Sequence, residues 1–262
     1  MKRKISITIG EGTLRQIDSL VDGVYIRNRS QAIEQFVRNS ISNQCAVILC
    51  GGKEQALRLG RGYRPTARVK NSTVIELAVR TMREHGFKRM FIIARHNVLT
   101  DIFRILKDGN RYAVKINYIE EVRSAGTADS LRLVRGRVSS AFLTVYGDIV
   151  FSRINIEELW NQHIKQKAVA TIVLTTSSAP SSKGSVKVEG NRVVAFEQKV
   201  RRAESYLVFS LIFVAEPEFL DYAGSSLEKD VFPELAARGM LSAYISSEKE
   251  RHIHRQADLG GG

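Results

Sequence analysis

The chain has 262 residues, 44% hydrophobic and 26% charged, and its 40 Lys and Arg against 27 Asp and Glu give a formal net charge of +13. That size and apolar content suit one mid-sized domain plus a small arm. No apolar run approaches the length of a membrane span, and the basic N-terminus leads into an alternating segment in place of a signal-peptide core. The expectation is a cytoplasmic protein with no membrane partner. Residues 1–42 carry +3 of the charge and the remainder +10. Such a basic surface favours polyanions, including nucleic acid, nucleotides and sugar phosphates, without choosing among them.

In chain order, the first expected element is a strand over Lys4-Ile5-Ser6-Ile7-Thr8-Ile9, with three isoleucines on one face and Lys4, Ser6 and Thr8 on the other. A break at Gly10-Glu11-Gly12 leads into a helix with Leu14, Ile17, Leu20 and Val21 inward. A second break at Asp22-Gly23 precedes another helix led by Arg29-Ser30, with Phe36 and Val37 inward. One strand and two short helices cannot bury those isoleucines alone, so pairing with a second copy, a homodimer, is expected.

From Gln44 the pattern becomes alternating strands and helices. Cys45 to Cys50 is a continuous apolar run ended by Gly51-Gly52, as a central parallel strand meeting a ligand-approaching loop requires. Its two cysteines read as buried thiols that cannot easily bond each other. A helix from Ser72, a strand over Met90–Ala94, a helix near Asp101–Lys107, a strand near Val114–Ile119, a helix from Thr127 and a strand over Ala141–Tyr146 follow, and a further helix carries Trp160 as a core residue. The predicted fold is α/β, a doubly wound, mostly parallel Rossmann-like sheet with ligands at the carboxyl ends of its strands. Beyond Ala168 come a strand over Val169–Thr175, a loop at Ser177–Ser185, and a hairpin of Val186–Glu189 and Arg192–Glu197 turned at Gly190-Asn191.

Residues 2 to 42 resemble the ribbon-helix-helix family. The resemblance implies a DNA-binding and dimerisation domain over 1–42, with Lys4, Ser6 and Thr8 facing base edges of double-stranded DNA, Arg29 on phosphate, and Ser30 capping the second helix where its amides hold a phosphate. Residues 44 to about 260 resemble the sugar-phosphate nucleotidyltransferases, in particular glucose-1-phosphate thymidylyltransferases, which implies a nucleotidyltransferase-like domain over 43–262. Four pieces carry this: Ala46 to Gly52, Gly126-Thr127-Ala128-Asp129-Ser130-Leu131, Tyr146-Gly147-Asp148 and Asp258-Leu259-Gly260. It implies a nucleotide or nucleotide-sugar at Gly51, Gly52, Gly126 and Thr127, and Mg2+ on Asp148 and Asp258, a hard cation on hard carboxylates.

The chain departs from that family's pattern at two cations, an arginine that falls on Ala56 and a lysine that falls on Thr66. Their loss typically costs several kcal/mol of transition-state stabilisation. Glu54 sets an acid where phosphate is expected, while Lys53, Arg58, Arg61 or Arg64 can substitute from the same loop. Glu197 falls at a sugar-contacting position, with Gln198 and Lys199 out of step. His252 and His254 share a strand face near Asp258 and read either as polar surface or as transition-metal ligands. The leading expectation is a dimeric DNA-binding regulator whose larger domain binds a nucleotide or nucleotide-sugar with degenerate catalysis. The alternatives are an active magnesium-dependent enzyme joining NTP and sugar 1-phosphate, with release of pyrophosphate, or an assembly scaffold.

Overall fold

The computed structural model describes residues 5–34, 44–123, 125–180, 184–198 and 205–259. Lys4, Phe36, Val37, the linker residues Ile41, Ser42 and Asn43, Lys199 and Gly260 therefore lie outside the described residues. The chain divides into two compact units, residues 1–43 and 44–262. Among the described residues no helix is long and apolar enough to cross a membrane.

In the small unit, residues 5–9 form no strand within the chain, and Ile5 and Ile7 are 76% and 54% exposed. An alternating strand that lacks a hydrogen-bonded neighbour has nothing to hold it extended. Helix α1 (Glu11–Ser19) starts earlier than expected: Gly10 is its N-cap, and Glu11 and Gly12 lie in its first turn. The break after it is built by Asp22, whose Oδ1 accepts from the amides of Val24, Tyr25 and Ile26 at 2.8, 2.8 and 2.9 Å. Residues 29–34 are helical, and Asn28 caps them, its Oδ1 accepting from the Gln31 amide at 2.9 Å. Ser30, the expected cap, lies one position inside the helix. Asparagine takes the role because a short side-chain acceptor just outside the helix reaches the N3 amide, which a residue within the first turn cannot do. Arg29 donates to both carboxylate oxygens of Asp18, at 2.5 and 2.8 Å.

The larger unit is organised around strand β1 (Cys45–Leu49), buried along its whole length. Cys45, Val47 and Leu49 pack into one apolar cluster with Phe91, Phe142 and Phe213, while Ala46, Ile48 and the adjoining Cys50 pack into a second with Ile75, Ile92 and Ile102. Double-sided burial is why this strand reads as a continuous apolar run, and each fully buried large apolar side chain contributes about 1.5–3 kcal/mol. Helices α2 (Val74–Glu84) and α3 (His96–Leu106) carry the chain to strands β2 (Arg89–Ala94) and β3 (Lys115–Glu120). Helix α4 (Thr127–Arg132) then leads to β4 (Phe142–Tyr146). β1 runs parallel to β2 on one side and to β4 on the other, and β2 parallel to β3. Helix α2 begins after Thr73, whose hydroxyl accepts from the Glu76 amide while Glu76 reaches back to the Thr73 amide. Ser72 and Thr73 themselves pair with Arg68 and Val69 as a short hairpin.

The second half is mixed. After β5 (Ile149–Val150) and helix α5 (Ile156–Gln166) come β6 (Ala170–Thr176), the hairpin of β7 (Gly184–Glu189) and β8 (Arg192–Gln198), and β9 (Leu207–Ala215). Helix α6 (Phe232–Ala237), β10 (Leu241–Ile245) and β11 (Arg251–His252) complete the set. The nine-stranded sheet has the order β6-β10-β8-β7-β9-β4-β1-β2-β3, with an additional pairing of β6 to β9. β9 is antiparallel to both β4 and β6, so the expectation of a mostly parallel sheet holds for β1 to β4, while beyond them the pairings are antiparallel except for β6 with β10, which is parallel. Helical crossovers return the chain in the same direction, whereas tight turns such as Gly190-Asn191 reverse it.

His163 on α5 is buried, its Nδ1 2.9 Å from the Thr171 hydroxyl and its Nε2 3.4 Å from Glu216 Oε1. Burial pushes the imidazole down to about 4. Its folded value lies below the unfolded value of about 6.5, so its stabilising contribution is full above pH 6.5 and is lost as pH falls from there toward 4. The loss amounts to about 3 kcal/mol over that window. Urea unfolding at about pH 7 and about pH 4.5 checks this: His163→Gln should flatten the pH dependence, and an unchanged slope would exclude His163 as its source.

Candidate active site

The carboxyl ends of β1 to β4 converge on one edge of the sheet. β1 delivers Gly51 and Gly52, β2 delivers Arg95, β3 delivers Glu121 and β4 delivers Gly147 and Asp148. The amides of Cys50, Glu121 and Gly147 extend the ladder one residue past the strands, donating to Ile93, Ala94 and Leu49 carbonyls at 2.8 Å each.

Glu121, which sequence reasoning did not single out, sits at the centre of the glycine turn. It is 1% exposed, its Oε2 accepts from the Gly52 amide at 2.9 Å, and its Oε1 accepts from the Ser130 hydroxyl. Arg95 Nε lies 3.9 Å from the same carboxylate. A Cβ on Gly51 would fall 2.7 Å from Glu121 Oε2, so any larger residue there must displace this hydrogen-bonded carboxylate, and Gly52 takes a φ of +111°. The Gly52 amide, assigned from sequence to a nucleotide, is thus engaged by Glu121. The signal for Glu121 was present in the Glu120-Glu121 pair at the end of a predicted strand, but a carboxylate there reads equally as a solvated strand end.

Gly126 and Thr127 are likewise tied into the protein. A Cβ on Gly126 would lie 2.5 Å from the Ser225 carbonyl oxygen. The Thr127 hydroxyl donates to Glu228 Oε2 and accepts from the Leu227 amide, both at 2.9 Å. Tyr146 donates to the other oxygen of Glu228, and burial raises its phenol far above the usual range, with Glu228 adding to the effect. The Gly-Thr-Ala helix start thereby clamps the 225–228 segment against the end of β4.

The loop after Gly52 decides where the cations go. Residues Glu54–Leu57 form a helical turn, Arg58–Leu59 pairs with Gly62–Tyr63, and Arg64–Thr66 closes as a 3-10 turn. The Thr66 hydroxyl donates to the Tyr63 carbonyl at 3.0 Å and accepts from its amide. Glu54 accepts from Asn97 Nδ2 at 3.0 Å and is held on the start of α3. Of the candidate substitutes, Arg58 stacks 5.7 Å over the Tyr63 ring, while Arg64 reaches Asp148, its NH1 3.3 Å from Oδ2. The buried Nε groups of Arg64 and Arg95 have no hydrogen-bond acceptor among the described residues.

Asp148 faces the short β5–β11 pair, which places His252 opposite Ile149. Its Oδ1 lies 3.7 Å from His252 Nε2, and His254 Nε2 is 2.5 Å from His252 Nδ1. The i, i+2 spacing puts both rings on one face, with Ile253 buried on the other against Val69 and Val74. Burial, followed by Arg64, holds the His254 imidazole below its usual range. The structure places Asp258 in the closing turn, its Oδ2 accepting from the His254 and Arg255 amides at 2.8 Å each. Those two amides, Arg255 first and then His254, are the main cause that holds its carboxyl below the usual range. The donor set around Asp148 suits a divalent cation: a single carboxylate with substrate oxygens and water satisfies magnesium, and the imidazoles extend the choice to transition ions. Glu197 is exposed on β8, opposite Ser185 of β7, and both cysteines are free and buried.

A profile of the nucleotidyl transferase family matches residues 45–260. The chain belongs to that family. Similar curated proteins include a UTP–glucose-1-phosphate uridylyltransferase from Synechocystis, 26% identical over 218 residues, covering 74% of this chain and 56% of that protein. A mannose-1-phosphate guanyltransferase from Yarrowia lipolytica is 25% identical, covering 69% of this chain and 52% of its own length. A D-glycero-alpha-D-manno-heptose 1-phosphate guanylyltransferase from Aneurinibacillus thermoaerophilus is 25% identical, with 71% and 84% covered. The chain thus spans little more than half the length of the first two. A crystal structure from Bacillus anthracis, described as a glucose-1-phosphate thymidylyltransferase with sucrose, superposes with a TM-score of 0.74 at 19% identity. It covers 82% of this chain and 92% of that one and establishes the shared α/β fold.

The Gly51–Glu121 contact is testable by a double-mutant cycle. Gly51→Ala alone should destabilise by about 1–3 kcal/mol as its methyl meets the carboxylate. In a Glu121→Ala background that cost should largely vanish, giving a coupling of at least about 1 kcal/mol in urea melts. Additive effects would show that the two residues do not meet.

Proposed function

We propose that residues 44–262 transfer a nucleotidyl group from a nucleoside triphosphate to a sugar 1-phosphate. A phosphate oxygen of the sugar phosphate attacks the α-phosphorus, the bond from that phosphorus to the β-phosphate bridging oxygen breaks, and pyrophosphate leaves with its electron pair. This replaces the regulator as leading reading for the large unit, because family membership spans that unit and the lost cations have a structural successor. The observation that carries it is the pair of partly buried arginines, Arg64 and Arg95, whose buried Nε–H groups lack a hydrogen-bond acceptor among the described residues at the edge where Asp148 sits. Buried donors without partners cost about 1–3 kcal/mol each, and anionic phosphate oxygens would satisfy both.

Arg64 supplies from the 3-10 turn the positive charge that Ala56 and Thr66 do not. The first-turn amides of α3, beginning directly after Arg95, add a second favourable field for phosphate. Asp148 would hold the divalent cation, Mg2+ in the expectation from sequence, which when bound neutralises charge on the triphosphate. The Gly52 amide becomes available to phosphate only if Glu121 yields it, so Glu121 acts as an internal occupant of the glycine turn. Coupled pyrophosphate-release assays over the four NTPs with glucose and mannose 1-phosphates should show turnover. Arg64→Ala should lower kcat by about 10²- to 10³-fold, and Asp148→Asn should abolish activity. Absence of turnover with every pair would leave a binding domain, and normal turnover in Arg64→Ala would sink the substitution argument.

A second reading concerns the small unit, favoured by the exposure of two large apolar side chains, Ile5 and Ile7, in a segment where Ser6 and Thr8 are exposed as well. In this reading residues 4–9 pair with a second copy as a DNA-reading ribbon, with Lys4, Ser6 and Thr8 outward and Arg29 and Ser30 at phosphate. Arg29 would first have to leave Asp18. Chains lacking residues 1–43 should then lose both dimerisation in sedimentation and salt-dependent DNA binding. Retention of both by the truncated chain would exclude a role for the arm.

A further inference from the structure

The cluster beside Asp148 is not the all-oxygen environment that magnesium prefers. Asp148 divides its oxygens: Oδ2 faces Arg64 NH1 at 3.3 Å, and Oδ1 faces His252 Nε2 at 3.7 Å. One ligand atom from each of Asp148, His252 and His254 falls within 4.8 Å of the others. Bond lengths of about 2.0–2.2 Å to nitrogen and oxygen set two ligand atoms of one ion roughly 3–3.5 Å apart. The Oδ1 to Nε2 gap therefore closes on an ion with a small torsional adjustment.

We propose that Asp148, His252 and His254 form a divalent-metal site that prefers first-row transition ions to magnesium, with Asp148 Oδ1 and His252 Nε2 flanking the ion and His254 orienting His252. Three observations assign these roles. The antiparallel pairing of β5 with β11 and the bond from the Ile253 amide to the Asp148 carbonyl, 2.9 Å, fix His252 beside the carboxylate on backbone that does not depend on the ion. The 2.5 Å contact of His252 Nδ1 with His254 Nε2 engages the ring nitrogen that points away from Asp148. A proton on Nδ1, donated to His254, leaves the lone pair on Nε2 toward Oδ1, the tautomer a ligating histidine adopts when a partner accepts from its other nitrogen. Finally, Asp258, the other carboxylate in this corner, holds two backbone amides through Oδ2 and so closes the turn that presents His254.

Imidazole nitrogen suits zinc and the later first-row ions such as cobalt and nickel, while magnesium is served by carboxylates, water and phosphate. This inference names the ion for the nucleotidyl-transfer site proposed above and rests on that reading for its catalytic meaning, but binding is measurable without turnover. The untagged, chelator-stripped full chain is titrated with Co2+, Zn2+ and Mg2+ separately by calorimetry, and with Co2+ by visible absorption. The expected result is one tight Co2+ or Zn2+ per chain, a visible ligand-field band, and Mg2+ binding weaker by at least about tenfold. His252→Ala should remove the band, and His254→Gln should weaken Co2+ roughly 10- to 100-fold, the range for an orienting partner. Both variants should leave Mg2+ affinity within about twofold. Circular dichroism establishes that each variant is folded, and His252→Gln replaces the alanine variant if that one is not. Equal affinity for Mg2+ and Co2+, or a Co2+ spectrum indifferent to position 252, overturns the proposal and leaves the transferase reading standing. Tight Co2+ binding with no turnover on any substrate pair has the opposite meaning: the metal site stands and the transferase reading falls.

Discussion

Everything in the larger unit depends on the position of β1, which has a parallel neighbour on each side and an apolar layer on each face. The chain leaves β1 toward β2 and β3 and returns to the opposite side at β4, so the loops leaving β1 and β4 diverge over adjacent strand ends. Such a reversal of strand order opens a crevice at the carboxyl edge. Glycines follow both strands there, and the side chains that can act are those the neighbouring strands deliver within a few ångströms: Arg95, Glu121 and Asp148.

Within that crevice the decisive balance is electrostatic. Two carboxylates, Glu121 and Asp148, face two arginines, Arg95 and Arg64, at 3.9 and 3.3 Å. Buried charge is tolerated only when paired or hydrogen-bonded, and both acids meet this condition through different means. Glu121 is held by an amide and a hydroxyl of the protein, so it is part of the fold as much as of the site. Asp148 is held by side chains on a loop and a short hairpin, elements that can rearrange around a ligand at lower cost than the strand ladder. The same contrast separates Gly126 and Thr127, committed to the 225–228 segment, from the arginine Nε groups, which still lack acceptors.

The small unit follows a different constraint. Its described part has few buried apolar groups, Ile17 and Ala32 among them, and its local order rests on capping by Asn28, the Asp22 turn and the Arg29–Asp18 pair. Exposed ion pairs of that kind contribute little, typically under about 1 kcal/mol. Among the described residues its alternating isoleucines have no ladder partner, which is why the periodicity that reads as a strand does not produce one there.

The sequence alone determined the elements whose burial is periodic. The apolar run of β1, the amphipathic helices after it, the Gly190-Asn191 turn and the order of glycine and aspartate motifs all follow from local chemistry, and with them the α/β class and the crevice. The sharing of a face by His252 and His254 was legible too, because strand alternation needs only two residues of spacing. What the sequence left open were relations between residues far apart in the chain. Glu121 meets Gly52 across 69 positions and Arg64 meets Asp148 across 84, and no local pattern encodes such meetings. The family pattern puts the lost cations at Ala56 and Thr66, and the same loop offers four replacements, Lys53, Arg58, Arg61 and Arg64. Only the fold of the loop, a helical turn, a hairpin and a 3-10 turn in succession, selected Arg64 by bringing its guanidinium to the strand end. Antiparallel β9, inserted beside β4, was decided the same way, since hydrogen-bond direction depends on which strand ends lie adjacent in space.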